Sequence, residues 1–189
     1  MKTSLALRHH RLQPVRWLPS PNQDARPDGV QPRLVVVHGI SLPPGEFGGS
    51  HVDDLFTNRL DPAKHPYFAQ IAHLRVSAHL LIDRQGRITQ YVAFNRRAWH
   101  AGLSHWRGLE RCNDFSIGIE LEGADWLPYT AAQYRCLEQV LPLLAQAYPI
   151  EGIAGHSEIA PGRKTDPGAA FAWHRLSSLF RRFNWQRRA

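Results

Sequence analysis

The sequence predicts one α/β domain, and three stretches carry that expectation. RLVVVHG, from Arg33 to Gly39, is a β-branched apolar run of the kind found in strands buried on both faces. SAHLLID and RITQYVA, Ser77 to Asp83 and Arg87 to Ala93, are two more strand patterns joined by a short turn at Gln85-Gly86. Thr130 to Tyr148 reads as a helix: Thr130 and Gln133 form a capping-box pair, and Tyr134, Leu137, Leu141, Leu144 and Tyr148 recur at helical spacing. At 189 residues the chain is long enough for one well-buried core and too short for two comfortable domains.

Taken in order, the chain opens with MKTSLALRHHRLQP, which lacks the sustained apolar region and cleavage site of a secretory signal, so a cytoplasmic protein is expected. Residues 1 to 32 are rich in Arg, Pro and polar groups, with PSPNQDARPDG expected as a surface loop and no regular structure assigned. The Arg33–Gly39 strand delivers His38 to its C-terminal end, where chemistry gathers in many α/β folds. A histidine that merely caps the strand by a hydrogen bond is the alternative. SLPPGEFGGSHVDD follows as a Pro/Gly loop able to rim a pocket, and the second half of DPAKHPYFAQIAHL suits a helix, with Phe68, Ile71, Ala72 and Arg75 at helical spacing. His65 and His73 are expected as surface or packing residues, and His79, inside a strand, as a core histidine or one that supports a ligand. Trp99 enters a loop where an aromatic ring can stack on a sugar or peptide, or simply pack. In FSIGIELEG, Ser116 to Leu121 form another strand with Glu120 near its end. A carboxylate in that apolar pattern must be paired, protonated or functional, which makes Glu120 a general-base candidate and Glu122 its competitor. Pro142 is expected to kink the long helix. The closing RRFNWQRRA reads as a solvated basic end, with contact to an anionic polymer as the alternative.

Hydrophobic residues make up 43% and charged residues 21% of the chain, the balance of a globular protein. No apolar run approaches the roughly 18–20 residues of a membrane span. Cys112 and Cys136 form no CxxC pair and are expected to be reduced and structural. The net charge of +7 comes almost wholly from arginine, since lysine occurs only at Lys2, Lys64 and Lys164. Such a surface attracts nucleic acid, anionic membrane or a carboxylate-rich small substrate, or it reflects the base composition of a genome. No nucleic-acid recognition motif, phosphate-binding Gly-rich loop, G-x-S-x-G or H-E-x-x-H is present. A small-molecule substrate is therefore expected, with neither nucleic acid nor membrane as partner and a monomer favoured.

The densest polar stretch is GHSEIAPGRKTDPG, Gly155 to Gly168, a poor recipe for regular structure and a good one for a rigid functional loop. The Pro161-Gly162 turn can fold it back so that His156 and Asp166 face one centre. Catalytic zinc usually takes three protein ligands and keeps a fourth position open, and His38 is the candidate third. A zinc there would activate water and polarise a carbonyl. Glu120 would take the water's proton and pass it to the leaving group, and Lys164 would steady the oxyanion. The residues point to metal-assisted hydrolysis of an amide or ester and do not name the substrate.

HGISLPPGEFGG, HPYFAQIAHLRVSAH, RAWHAG, ERCNDFSIGIELEG and IAPGRKTDPG closely resemble the cytoplasmic AmpD-type 1,6-anhydro-N-acetylmuramoyl-L-alanine amidases, zinc enzymes related to peptidoglycan recognition proteins. The resemblance runs from about Pro19 to Trp173 and implies a central mixed β-sheet flanked by helices in one amidase domain. It leaves 174–189 as an unexplained basic tail. It implies zinc on His38, His156 and Asp166, catalytic roles for Glu120 and Lys164, stem-peptide contacts from Arg75 and Arg111, and Trp99 on the sugar side. The implied reaction cleaves the lactyl–L-alanine amide of anhydromuropeptides in cell-wall recycling, which limits β-lactamase induction where the linked regulator exists. Two readings compete with it: a peptidoglycan-fragment binding module without catalysis, and a basic nucleic-acid-binding protein. The chain departs from the family pattern at Gly39, where Asn is usual, which leaves a hydrogen bond missing, and at Ser157-Glu158, where Cys-Asp is common.

Overall fold

Side chains of an extended strand alternate between its two faces, and that alternation organises the whole fold. In the computed structural model, which describes residues 4–185, six strands form the central sheet: β1 (Arg16–Trp17), β2 (Leu34–Ile40), β3 (Leu80–Ile82), β4 (Ile88–Gln90), β5 (Ser116–Glu122) and β6 (Gly152–Gly155). Their spatial order is β6-β2-β5-β3-β4-β1. β6, β2, β5 and β3 run parallel, β4 returns antiparallel beside β3, and β1 lies parallel to β4, so the sheet is mixed. The β3–β4 hairpin turns at Gly86, whose φ of 82° lies in the left-handed region that a residue without Cβ enters freely.

Among the described residues five α-helices accompany the sheet: α1 (His51–Phe56), α2 (Pro66–Ile71), α3 (Ala131–Ala147), α4 (His156–Ile159) and α5 (Ser177–Phe183). Val35, Val37, Ile117, Ile119 and Ile153 share one sheet face and pack against Leu137, Val140, Leu141 and Leu144 of α3. Burial of each such side chain contributes about 1.5–3 kcal/mol before the entropy of ordering it is subtracted. The alternate residues His38, Ser116, Gly118 and Glu120 point to the other face, where Leu34, Val36 and Ala154 pack with Trp106, Phe115 and Ile159. The face towards α3 is thus apolar along β2, β5 and β6, and the other carries His38, Ser116 and Glu120.

Local chemistry fixes the orientation of α3. Thr130 Oγ1 accepts from the Gln133 backbone N–H at 3.2 Å and Gln133 Oε1 accepts from Thr130 N–H at 2.9 Å, the expected capping box. The buried Gln133 amide also donates to the carbonyls of Ile82 and Glu122, at 3.2 and 2.9 Å. One side chain therefore caps the helix and ties it to the ends of β3 and β5. The helix runs through Pro142 without interruption.

Four local expectations need correction. Within residues 1–32, the strands Ala6–Arg8 and Arg11–Gln13 form a small hairpin, β1 joins the main sheet, and Gln23–Ala25 pairs with Arg96–Ala98. Short strands this polar leave no apolar alternation to read. α1 begins at His51, inside the stretch expected as loop. His156 opens the helical turn α4 and is not on an irregular loop. The C-terminal segment is not a solvated basic end as far as Trp185: Leu176, Leu179 and Trp185 are buried in the main core, and the Trp185 indole donates to the Ile150 carbonyl at 2.8 Å. The arginines of α5 hid an amphipathic helix. Residues 186–189, the last part of that expected tail, lie outside the described residues.

His79 is a core histidine, as the strand pattern suggested. Its Nδ1 accepts the Gly118 N–H at 3.0 Å, so the ring proton sits on Nε2, 3.0 Å from the Arg96 carbonyl. Burial and then the charge of the buried Arg26 guanidinium hold its pKa down to about 3. An unfolded chain takes up a proton near pH 6.5 that the folded His79 refuses, so stability falls as pH drops from about 6.5 towards 3. This group alone is expected to cost about 2 kcal/mol by pH 5. Urea unfolding at pH 7.5 and pH 5 checks it: His79→Asn, which keeps an acceptor for Gly118, should lose less stability between the two pH values than the parent chain.

Candidate metal centre

Parallel pairing places His38 of β2 directly beside Glu120 of β5, both on the polar face near the C-terminal ends of their strands. β6 pairs on the other side of β2 and ends at Gly155, so His156 emerges next to His38. Gly155 carries no side chain because a Cβ there would crowd the Pro167 ring. Asp166 comes back to the same point because Ser157 N–H donates to the Asp166 carbonyl at 2.9 Å.

Three ligand-type atoms converge. His38 Nδ1 and His156 Nδ1 lie 3.0 Å apart, and each lies 3.2 Å from Asp166 Oδ2. Ligand atoms about 2.0–2.1 Å from a tetrahedral zinc sit about 3.3–3.4 Å from one another, so this triangle is close to the size that such an ion needs. His156 Nε2 is 3.1 Å from the Ala101 carbonyl, which can only accept, so the proton of the neutral ring is on Nε2 and Nδ1 is a bare lone pair. Burial, followed by the neighbouring His156, lowers the His38 pKa to about 4 and keeps the His38 ring neutral. Unshared pairs meeting at one point repel unless a cation lies between them. His38, His156 and Asp166 are the group among the described residues that can hold a metal ion.

A cavity of about 430 Å³ opens over this cluster. Glu120, Lys164 and Trp99 line it together with His38, His156 and Asp166, so the structure gathers six of the eight residues singled out from the sequence. Glu120 is 9% exposed, and its Oε2 has no hydrogen-bond partner among the described residues. Burial, and then the charge of Asp166, raise its pKa well above the ordinary value, while Lys164 pulls the other way. An orphaned carboxylate oxygen beside a three-atom ligand set fits a site built around a cation and its water. Glu122, the competing carboxylate, is placed differently: it accepts from the backbone N–H of Gly48 and from that of Arg84, the latter at 3.1 Å. Both its oxygens are engaged, and it ties the Ser41–Gly49 loop to the β3–β4 turn.

The other two predicted contacts stand elsewhere. Neither Arg75 nor Arg111 is in the cavity wall. Arg75 is exposed beside the wall residues Leu74 and Val76 and turns back onto carbonyls of residues 72–74, and Arg111 pairs with Asp114 at 3.2 Å. The structure adds two residues that sequence reasoning did not single out for the site. Trp126, 72% exposed, stands on the cavity wall. His100 touches His38, its Nδ1 2.9 Å from His38 Nε2. The residue in the RAWHAG block that stood out was the neighbouring tryptophan. Gly39 also gains a reason, for a Cβ there would overlap the Tyr129 hydroxyl, which donates to the Pro167 carbonyl at 3.0 Å, one residue past Asp166. Space vacated at Gly39 is used by a hydrogen bond that supports the ligand loop.

Residues 28–169 match the N-acetylmuramoyl-L-alanine amidase family. Among individual proteins, the chain is 61% identical over 167 residues to the 1,6-anhydro-N-acetylmuramyl-L-alanine amidase AmpD of Escherichia coli strain K12, covering 87% of this chain and 91% of that protein. The crystal structure of a selenomethionine AmpD derivative superposes with a TM-score of 0.89 at 59% identity, over 92% of this chain and 98% of that one. The amidase AmiD from E. coli, in complex with the substrate anhydro-N-acetylmuramic acid-L-Ala-D-γ-Glu-L-Lys, gives a TM-score of 0.58 at 28% identity, over 93% and 65%.

Because a glutamine can accept at only one of its two end atoms, Glu122→Gln leaves either Gly48 or Arg84 N–H without its acceptor. The substitution should cost about 1–3 kcal/mol and speed amide hydrogen exchange around Gly48. Exchange measured by mass spectrometry on the Ser41–Gly49 peptides reads the second effect directly.

Proposed function

Since this chain belongs to the N-acetylmuramoyl-L-alanine amidase family, we propose that it hydrolyses the amide joining the lactyl group of 1,6-anhydro-N-acetylmuramic acid to the L-alanine of the stem peptide, a step of cell-wall recycling. The convergence of His38 Nδ1, His156 Nδ1 and Asp166 Oδ2 beneath the unpartnered Glu120 oxygen carries this reading. The ion that these three residues hold is zinc: two imidazole nitrogens and one carboxylate oxygen are a borderline-soft donor set with a fourth position free. Bound there, zinc supplies a Lewis acid and a water whose pKa falls from about 15.7 towards 7.

The chain's own groups then divide the work. Glu120 takes one proton from water as the water oxygen bonds to the lactyl carbonyl carbon. The carbon–nitrogen bond breaks, and Glu120 returns the same proton to the departing nitrogen, leaving a lactyl carboxylic acid and a free L-alanine amine. A carboxyl whose pKa is lifted by burial suits both halves of that exchange. Lys164, on the cavity wall, neutralises negative charge on the former carbonyl oxygen. Trp99 offers a flat face to the anhydro sugar. Arg75 and Arg111 lie outside the cavity wall, so the carboxylates they take belong to parts of the stem peptide that extend beyond it. In this reading the chain works in the cytoplasm, and removal of anhydromuropeptides limits β-lactamase induction where the linked regulator is present. Among the described residues no helix is long and apolar enough to cross a membrane.

Mass spectrometry of the purified protein mixed with anhydromuramoyl-tripeptide tests the proposal. Free tripeptide should appear, vanish on addition of a zinc chelator and return with added zinc; no release from zinc-loaded protein would refute it. Glu120→Gln should keep zinc and lose about 10²–10⁴ in kcat. Asp166→Ala should lose zinc itself. Lys164→Ala should lower kcat more than it raises KM, and a change confined to KM would remove the oxyanion role.

A further inference from the structure

Histidine ligands are accurate only when something holds their second nitrogen. For His156 that partner is the Ala101 carbonyl, at 3.1 Å. For His38 it is another imidazole: Nε2 lies 2.9 Å from His100 Nδ1, and His100 Nε2 lies 3.1 Å from Ser116 Oγ. Adjacent residues therefore serve both rings, His100 by its side chain and Ala101 by its backbone. Asn113 clamps the pair, with Oδ1 accepting from the N–H groups of His100 and Ala101 at 3.1 and 2.8 Å. Gly118 of β5 makes the room, because a Cβ at that position would overlap the His100 ring.

We propose that His100 is a positioning residue for the metal centre: it accepts the His38 Nε2 proton, passes orientation on to Ser116, and so keeps His38 Nδ1 bare and aimed at the ion. The inference rests on the zinc reading above. The direction of the chain follows from its ends. With His38 Nδ1 given to a cation, the single proton of the neutral ring must be on Nε2, which makes it a donor. His100 Nδ1 is then the acceptor, its own proton sits on Nε2, and Ser116 Oγ receives it. Turned the other way, His100 Nδ1–H would donate to His38 Nε2 and put the His38 proton on Nδ1, where the metal must bind. An imidazole here, in place of a carboxylate, supports the ligand without adding negative charge next to it.

Zinc affinity measured by competition with a chromophoric chelator tests this, with metal-free thermal melting as the control for folding. His100→Leu fills the space and accepts nothing, so zinc should bind about 10–100-fold more weakly. His100→Asn places Oδ1 near the position of Nδ1, so most of that loss should be recovered. The cobalt-substituted protein should show a shifted visible spectrum for Leu and a near-parental one for Asn. Zinc binding by His100→Leu within twofold of the parent, or His100→Asn no tighter than Leu, overturns the proposal. If His100→Leu fails to fold, Ser116→Ala replaces it: weaker zinc binding with unchanged metal-free melting supports the chain, and unchanged zinc binding overturns it. A parent chain that takes up no zinc defeats the zinc reading itself, whereas tight parental binding matched by every variant defeats only the role of His100.

Discussion

Three unshared electron pairs aimed at one point are the constraint on which the rest of this structure depends. His156 Nε2 must donate to the Ala101 carbonyl, so its Nδ1 is bare, and that atom faces His38 Nδ1 and a carboxylate oxygen at 3.0 and 3.2 Å. With the His38 proton on Nε2 as well, the three atoms repel one another, and a cation at their centre makes the cluster attractive. The supports around it are correspondingly stiff. His100 and Ala101 sit behind the two rings, and Tyr129 and the Ser157 backbone hold the Asp166 segment. Gly39 and Gly118 lack side chains where the Tyr129 hydroxyl and the His100 ring need the space.

The sheet makes this cluster possible by separating its two jobs. One face gives Val35, Val37, Ile117, Ile119 and Ile153 to the core against α3, and β2, β5 and β6 pair in register there. The other face is then free to carry His38, Ser116, Gly118 and Glu120 in one plane. Parallel pairing sends the ends of these strands to the same edge, so residues far apart in the chain become neighbours without any long loop having to find its place. A carboxylate on that face is expensive to bury, and Glu120 is buried with one oxygen unpaired. That cost is what the proposed role of Glu120 as the general base would explain.

Much of this was legible because the relevant signals are local. The β-branched run ending in His38, the Thr130–Gln133 pair and the hairpin turn at Gly86 each declare themselves within a few residues. His156 and Asp166 were legible because ionisable residues crowded among Gly and Pro have few structural reasons to be there. What stayed hidden depends on contacts distant in sequence. His100 is one histidine of 11, and only the fold shows it behind His38. The difference in surroundings between Glu120 and Glu122 rests on the backbone N–H groups of Gly48 and Arg84. Arginines between Leu176, Leu179 and Trp185 masked a docked helix as a solvated tail. The value of Gly39 appeared only once Tyr129 was seen to fill the gap.

X-ray absorption at the zinc edge of the loaded protein addresses the ligand set most directly. Two imidazoles, one carboxylate oxygen and one further light atom should surround the ion at about 2.0–2.1 Å. A sulfur shell near 2.3 Å, or a pattern requiring three or more imidazoles, would contradict a centre built on His38, His156 and Asp166.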